Sequence, residues 1–335
     1  MIYVSFPRTP DDYLQDCRWH AQLSHHVYHG LRSRFGRLGV EFVGWDSDIP
    51  AGPTDLVVTC LPNRNYRSGA RIIGVENDTL IPERWTQATA DIHGLTVQVD
   101  DIAALHSLVD NAVGLIVMTN DVALGRLRAN EARAASHAAW LSRACNGNIG
   151  YTPHPIDHQR FRRIPKLFLN RKRLWNSQQH RMMVYHAGWR KNSAEAITIL
   201  EGLGLVRDQH FDVVDTVDKN DPQAMAALVE RYNVIFSGSF SESGPINMIE
   251  YLVQGFVIAG HEEWWGGYGF VESVWSYDPA LRDEMTRRMA WLMNPRNVGQ
   301  MQQHRDRILQ HFLTRDDMRW ETFLERLGTI IRHAL

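Results

Sequence analysis

The chain has 335 residues, 44% of them hydrophobic, which is enough for two domains of ordinary size that each bury a core of their own. A formal net charge of −2 argues against a protein that coats nucleic acid through global charge, and no apolar run approaches the length that spans a bilayer. Three scattered cysteines, Cys17, Cys60 and Cys145, exclude a disulfide framework and a cysteine zinc site.

The N-terminal MIYVSFPRTPDD enters a strand directly, without the charged region and apolar core of a signal peptide, so a cytoplasmic protein without stable membrane insertion is expected. Strands are expected at Ile2 to Phe6, Val40 to Gly44, Leu56 to Thr59, Arg71 to Val75 and Val113 to Thr119, and helices at Leu14 to Phe35 and Ile102 to Asn111. That alternation predicts a doubly wound α/β domain over residues 1–157. Ligands of such sheets bind beyond the carboxyl ends of the strands. The polar candidates there are Arg8, Asp11 and Asp12 after the first strand, Arg64, Tyr66 and Arg67 after the third, and Glu76, Asn77 and Asp78 after the fourth. His25 and His29 stand at the i,i+4 spacing of helical metal ligands, but no third ligand accompanies them and no metal is assigned. Asp46-Ser47-Asp48 has the spacing of a metal-binding D-x-D, but it follows the second strand and precedes Pro50, and turn chemistry explains it as well.

Residues 158–181 form a basic connection with eight Lys or Arg and no acid, which leaves open a solvated linker face or a surface for an anionic partner. A second α/β domain is expected over 182–317. Met182 to His186 and Phe211 to Val214 read as strands, Asn192 to Leu203 and Pro222 to Arg231 as helices. The loop from His261 to Gly269 carries Trp264 and Trp265, which suit either stacking on a base or sugar or plain packing. From Pro279 the tail reads as helical.

The stretch Asn233 to Gly260, NVIFSGSFSESGPINMIEYLVQGFVIAG, reads as strand, short loop, helix, strand. Val234 to Phe236 and Phe256 to Ala259 are compact apolar runs of the kind buried parallel strands show. Between them Ser241 and Ser243 suit a cap and Pro245 suits the first helical position. Ile246, Ile249, Leu252 and Val253 then make an apolar face, and Gly255 closes the helix. Such a helix start, led by a Ser/Gly loop, is an anion site. Glu242 and Glu250 have seven residues between them, and helical side chains lean toward the N-terminus, so both are able to address one ligand. Carboxylates beside a phosphate repel it unless they face something else. Sugar hydroxyls, which need acceptors, fit them. The plainer alternative is a loop carboxylate and a solvated helix position.

This stretch resembles the E-x7-E donor site of retaining GT-B glycosyltransferases of the GT4 type. The resemblance implies two Rossmann-like doubly wound domains facing a cleft, with Glu242 on donor-sugar hydroxyls and Glu250 on the nucleotide ribose. Amides around Gly244, Pro245, Ile246 and Asn247 would serve the sugar or phosphate. Ala187-Gly188-Trp189-Arg190-Lys191 is similar to the family's glycine, arginine and lysine loop facing the donor diphosphate, although the usual spacer between the cations is missing. Gly188 would line the donor, while Arg190 and Lys191 would stabilise the leaving diphosphate. Pro153-His154-Pro155-Ile156-Asp157 is similar to the family's entry into the second domain, and the chain's end, 318–335, with its last helix Trp320 to Ile331, resembles the segment that crosses back to the first. After the first strand, family members often carry Gly-Gly; this chain has Phe6-Pro7-Arg8-Thr9-Pro10.

These resemblances imply a retaining glycosyltransferase that needs neither metal nor cofactor and takes a UDP- or GDP-linked sugar as co-substrate. Glu242, Arg190 and Lys191 are the catalytic candidates; Arg8, Asp11, Arg64, Tyr66, Arg67, Glu76 and Asp78 are the acceptor-side candidates. The arginines favour an anionic polymer, and the chain resembles in compactness and charge the phage DNA glycosyltransferases that act on a hydroxymethylated base in the host cytoplasm. A saccharide or lipid-linked acceptor of envelope synthesis is the alternative. A non-catalytic nucleotide-sugar or nucleic-acid binding protein is the rival of another class.

Overall fold

The computed structural model describes residues 1–14, 19–45, 47–60, 70–76, 112–118, 144–157, 181–186, 193–215, 221–237, 246–253, 255–261, 274–275, 280 and 282–335. The chain divides into two compact units, Met1–Asp157 with Asp316–Leu335, and His158–Arg315.

The first unit is built on a six-stranded sheet of β1 (Ile2–Ser5), β2 (Val40–Phe42), β3 (Leu56–Thr59), β4 (Arg71–Glu76), β5 (Gly114–Met118) and β6 (Ile149–Thr152), in the order β2-β1-β3-β4-β5-β6. Every pairing is parallel. Sheets buried on both faces need continuous apolar strands, and Leu56 to Thr59 and Gly114 to Met118 are buried throughout. The sixth strand is an addition to the sequence reading: Ile149-Gly150-Tyr151-Thr152 is short, contains a glycine and is only half-buried, so its signal is weak. Leu14, expected to open the first long helix, belongs instead to a 3-10 turn, Pro10–Leu14, and the described helix α1 runs from Trp19 to Phe35. The helix expected at Ile102 to Asn111 lies outside the described residues.

The second unit holds β7 (Met182–His186), β8 (Phe211–Asp215), β9 (Val234–Ser237), β10 (Val257–His261) and β11 (Val274–Trp275), ordered β11-β10-β9-β7-β8 and parallel throughout. Its helices include α2 (Ser193–Gly202), α3 (Pro222–Arg231), α4 (Ile246–Val253), α5 (Arg282–Leu292) and α6 (Val298–Thr314). Met182 and Val184 join Ala196 and Leu200 of α2 and Met285 and Met289 of α5 in one core, while Tyr185, the next residue along β7, meets Tyr251 of α4 edge-on at 6.1 Å. Successive strand residues face opposite ways, so α2 and α4 cover opposite faces of the sheet. That layering is the doubly wound arrangement.

Helix caps explain where these elements begin and end. Asp221 accepts hydrogen bonds from the amides of Gln223 and Ala224, and Pro222 occupies the first helical position of α3. At the end of α4 the Phe256 N–H donates to the Tyr251 carbonyl at 3.1 Å and the Gly255 N–H to that of Leu252 at 3.0 Å, with Gly255 at φ 101°. This is a Schellman motif, and its expected apolar contact is the edge-on Tyr251–Phe256 pair. Arg305 of α6 donates to the Gly255 carbonyl at 3.1 Å, which ties the turn into β10 to the flanking helix.

The last helix, α7 (Trp320–Ala334), belongs to the first unit and not to the second from which the chain has just come. Trp320, Phe323, Leu324, Leu327, Ile330 and Ile331 enter the core formed by β1, β3, β4, β5 and α1. Polar contacts fix its register: Arg326 donates to the Tyr151 carbonyl, Arg71 to that of Ala334 and Asn148 to that of Ile330.

Candidate functional site

Doubly wound sheets open a crevice at the carboxyl edge where strand order reverses, because consecutive crossovers leave that point in opposite directions. In the second unit the reversal falls between β7 and β9, which pair in parallel with Val184 opposite Phe236. The chain leaves the carboxyl edge after His186 on one strand and after Ser237 on its neighbour. Gly188, Arg190 and Lys191 follow the first, and Glu242, Gly244 and Pro245 follow the second; all six lie outside the described residues. The helix that returns from β9 is α4, which begins at Ile246, includes Asn247 and Glu250, and leads into β10. A βαβ helix runs back along its strands, so the α4 N-terminus, whose first N–H groups have no partner within the helix, lies at the carboxyl edge.

The first sheet has the same property between β1 and β3, where Ser5 stands opposite Thr59 and the Thr59 hydroxyl donates to the Ser5 carbonyl at 2.8 Å. Arg64, Tyr66 and Arg67 follow β3 outside the described residues, as does Asp78; Glu76 is the last residue of β4. Arg8 and Asp11 are described, in the segment that follows β1. Where a Gly-Gly loop was the family expectation, the chain builds a 3-10 turn: the Asp12 N–H donates to the Thr9 carbonyl, and the Asp12 carboxylate reaches back to accept from the Thr9 N–H at 2.8 Å. Asp12 is thereby committed to the backbone. Asp11 stays exposed on the same turn, and Arg8 just before it is half-buried.

Two histidines of α1 support this turn. His25 Nδ1 lies 3.1 Å from the Pro10 carbonyl and its ring stacks on Tyr13 at 4.2 Å. Burial holds the His25 pKa below its ordinary value, with the Pro10 hydrogen bond and the Asp157 carboxylate opposing and the His26 and His29 charges assisting; a carbonyl only accepts, so Nδ1–H is the donor. Among the described residues no three side chains gather as metal ligands. The Tyr13 hydroxyl donates to Asp157, a buried carboxylate that sequence reading placed in the entry to the second domain without giving it a role. The Thr9–Asp12 contact is local, three residues apart, whereas Tyr13 and Asp157 are 144 residues apart in sequence.

No protein-family model matches the chain, and no curated protein matches it in sequence. Solved structures do. The chain is similar to α,α-trehalose 6-phosphate synthase from Burkholderia multivorans, with a TM-score of 0.61 and 10% identity over 100% of this chain and 99% of that one. It is also similar to the trehalose-6-phosphate protein from E. coli bound with UDP-2-fluoro glucose (TM-score 0.58, 10% identity, 97% and 98% covered). WaaG, a glycosyltransferase involved in lipopolysaccharide biosynthesis, matches with a TM-score of 0.55 and 12% identity over 97% and 99%. The chain has the GT-B fold. Within the GT-B fold the identity is too low to carry residue roles across, so the two switch points stand on their own geometry. Among the described residues no helix is long and apolar enough to cross a membrane.

Proposed function

We propose that the protein is a retaining glycosyltransferase that binds a nucleotide sugar on its second unit and transfers the sugar to a hydroxyl of a saccharide acceptor. The observation that carries this reading is the adjacency of β7 and β9 at the switch point of the second sheet, with α4 starting beside them. In this reading the segment with Arg190 and Lys191, which follows β7 in sequence, and the segment with Glu242, which follows β9, serve one crevice edge. Departure of a nucleoside diphosphate develops negative charge, which two cations and a helix N-terminus stabilise without a metal. Glu242 takes the donor-sugar hydroxyls and Glu250 the ribose. Saccharide acceptors are preferred to DNA because the solved structures of this fold include one named a trehalose 6-phosphate synthase and one named for lipopolysaccharide biosynthesis.

Nucleoside diphosphates and their sugars, tested as a thermal-shift panel, are expected to give one strong responder, since a ligand at one hundred times its Kd stabilises by about 2.7 kcal/mol. Silence across UDP-, GDP-, ADP- and dTDP-linked sugars would overturn the donor site. With the responding donor, Glu242→Ala is expected to lower turnover about 100-fold without a change in melting temperature. Unchanged turnover in that variant would sink its assignment.

A second reading, transfer to a hydroxymethylated base in DNA, is favoured by Arg8 at the first switch point together with Arg64 and Arg67 in the segment after β3. It makes a separate forecast. Duplex binding would fall steeply with salt, and Arg64→Ala or Arg67→Ala would each remove about one phosphate's share of the slope. Transfer to an oligosaccharide with salt-insensitive or undetectable DNA binding decides for the saccharide.

A further inference from the structure

Helix α4 is tied down at the end far from the crevice. Its side chains Met248, Ile249, Tyr251, Leu252 and Val253 are all buried. Apolar packing of that kind is strong but non-directional, so it opposes removal of the helix more than a slide along its axis. The neighbouring strands are held by ladders along their length, whereas a helix makes its backbone hydrogen bonds within itself. A directional contact comes from α6. Arg305 Nη1 donates to the Gly255 carbonyl at 3.1 Å, and a Cβ on Gly255 would lie 3.4 Å from the same nitrogen, so the cation sits close against the turn that closes α4. The other edge of the guanidinium, Nε and Nη2, donates to Asp306 Oδ1 at 3.1 and 2.6 Å. The Arg305 side chain is 13% exposed and that of Asp306 55%. An ion pair this open to water contributes little stability. It instead orients the planar fork so that one N–H faces the turn. Met301, His304, Ile308 and Phe312 bury one face of α6, so Arg305 projects from a firmly seated helix.

We propose that Arg305 is a positioning residue for the donor: by fixing the closed end of α4 it sets where the opposite end, which carries Asn247 and Glu250, stands at the crevice. The role rests on reading that crevice as the nucleotide-sugar site. The eight residues of α4 span about 12 Å at 1.5 Å per residue, and no glycine or proline interrupts Ile246 to Val253. A helix this short moves as one rod, so a shift at Gly255 reaches Glu250 and the amides of the first turn. The guanidinium also lies at the negative end of the α4 dipole, where a cation is favourable. Groups that hold a reacting ligand tolerate little displacement, since about 1 Å costs up to about 100-fold in rate. Arg305 touches no substrate in this role and acts through the helix alone.

Calorimetric titration of UDP, GDP, ADP and dTDP into the whole chain, below its melting transition, tests the role without an acceptor. Arg305→Met keeps the apolar stem and removes the donors; the Kd of the nucleotide that the wild type binds is expected to rise about tenfold. Asp306→Ala, at a mostly exposed position, is the gentler second variant. It frees the fork to turn away from Gly255 and is expected to raise the same Kd about threefold. Hydrogen exchange follows the helix itself: protection of the Glu250 to Val253 amides is expected to fall about tenfold in Arg305→Met while β7 and β9 keep theirs. In transfer kinetics the donor KM is expected to rise with the Kd and the acceptor KM to stay. A contact that only stabilises the fold would lower the melting temperature and leave the Kd of the folded protein alone. Wild-type Kd in either variant would therefore overturn the positioning role and leave the donor-site reading intact. Silence of all four nucleotides in the wild type would overturn the donor-site reading, and the positioning role with it.

Discussion

A chain ending at Arg315 is expected to lose the folded first unit altogether, although the removed residues lie farthest in sequence from its sheet. The deleted helix α7 contributes Trp320, Phe323, Leu324, Leu327, Ile330 and Ile331, each less than 8% exposed. Burial of such a side chain stabilises by about 1.5–3 kcal/mol, so the six together contribute on the order of 10 kcal/mol. Whole domains are stable by about 5–15 kcal/mol. The deletion removes a quantity of the same size and uncovers one face of β1, β3, β4 and β5 besides. Two close approaches show how little slack the seat has: a Cβ on Gly114 would lie 2.5 Å from Ile330, and one on Gly30 would lie 2.4 Å from Leu324. Circular dichroism and hydrogen exchange check the outcome, with β1, β3 and β5 expected to exchange freely. If those strands stay protected in the truncated chain, α7 is an accessory and not part of the core.

The architecture was readable because parallel strands buried on both faces leave an unmistakable apolar signature, and Leu56 to Thr59, Met182 to His186 and Val234 to Phe236 all carry it. Ile149 to Thr152 and Val274 to Trp275 escaped because edge strands this short need no such run. Ends that depend on a local rule were legible: Pro222 opens α3 and Gly255 closes α4 where propensity puts them. Of the donor candidates, sequence carries the residue types, and the fold adds that β7 and β9 are neighbours, which no local pattern encodes. The contacts of Asp157 were hidden for a related reason. A single aspartate beside a proline-rich segment has no periodicity, and its meaning comes from Tyr13 and His26, which only the fold brings to it.

The same holds for Asp212, whose replacement is expected to have the second-largest effect on stability. It lies in β8 near the amino-terminal edge of the second sheet, opposite the switch point, and is buried. Arg181, just before β7, donates to one carboxylate oxygen; Tyr232, just before β9, donates to the other at 2.7 Å, and Arg231 approaches that oxygen at 3.1 Å. One carboxylate thus ties together the starts of the three strands β9, β7 and β8. Burial alone would raise the Asp212 pKa, but the Tyr232 hydroxyl and the two guanidinium groups outweigh it and hold the carboxyl below its ordinary value. Burial and the adjacent carboxylate push the Tyr232 hydroxyl up to about 12, so it remains a donor throughout the working range. Asp212→Ala removes the acceptor and leaves a buried hydroxyl and the Arg181 guanidinium without it, at a cost of about 3 kcal/mol; Arg231, more than half exposed, returns to water and adds little. Asp212→Asn keeps an acceptor for Tyr232 and is expected to lose about half as much. A folded pKa below the unfolded one means stability that is present above the unfolded value, near pH 4, and is lost as pH falls through the folded value. Denaturant midpoints measured from pH 7 down to pH 2 are therefore expected to fall less steeply in Asp212→Ala than in the wild type. Because the network sits at the edge away from β7 and β9's carboxyl ends, donor affinity below the melting transition is expected to stay unchanged. Parallel acid curves for the two chains would show that Asp212 folds without favouring its ionised form, and a weakened donor would show that the two edges of the sheet are coupled.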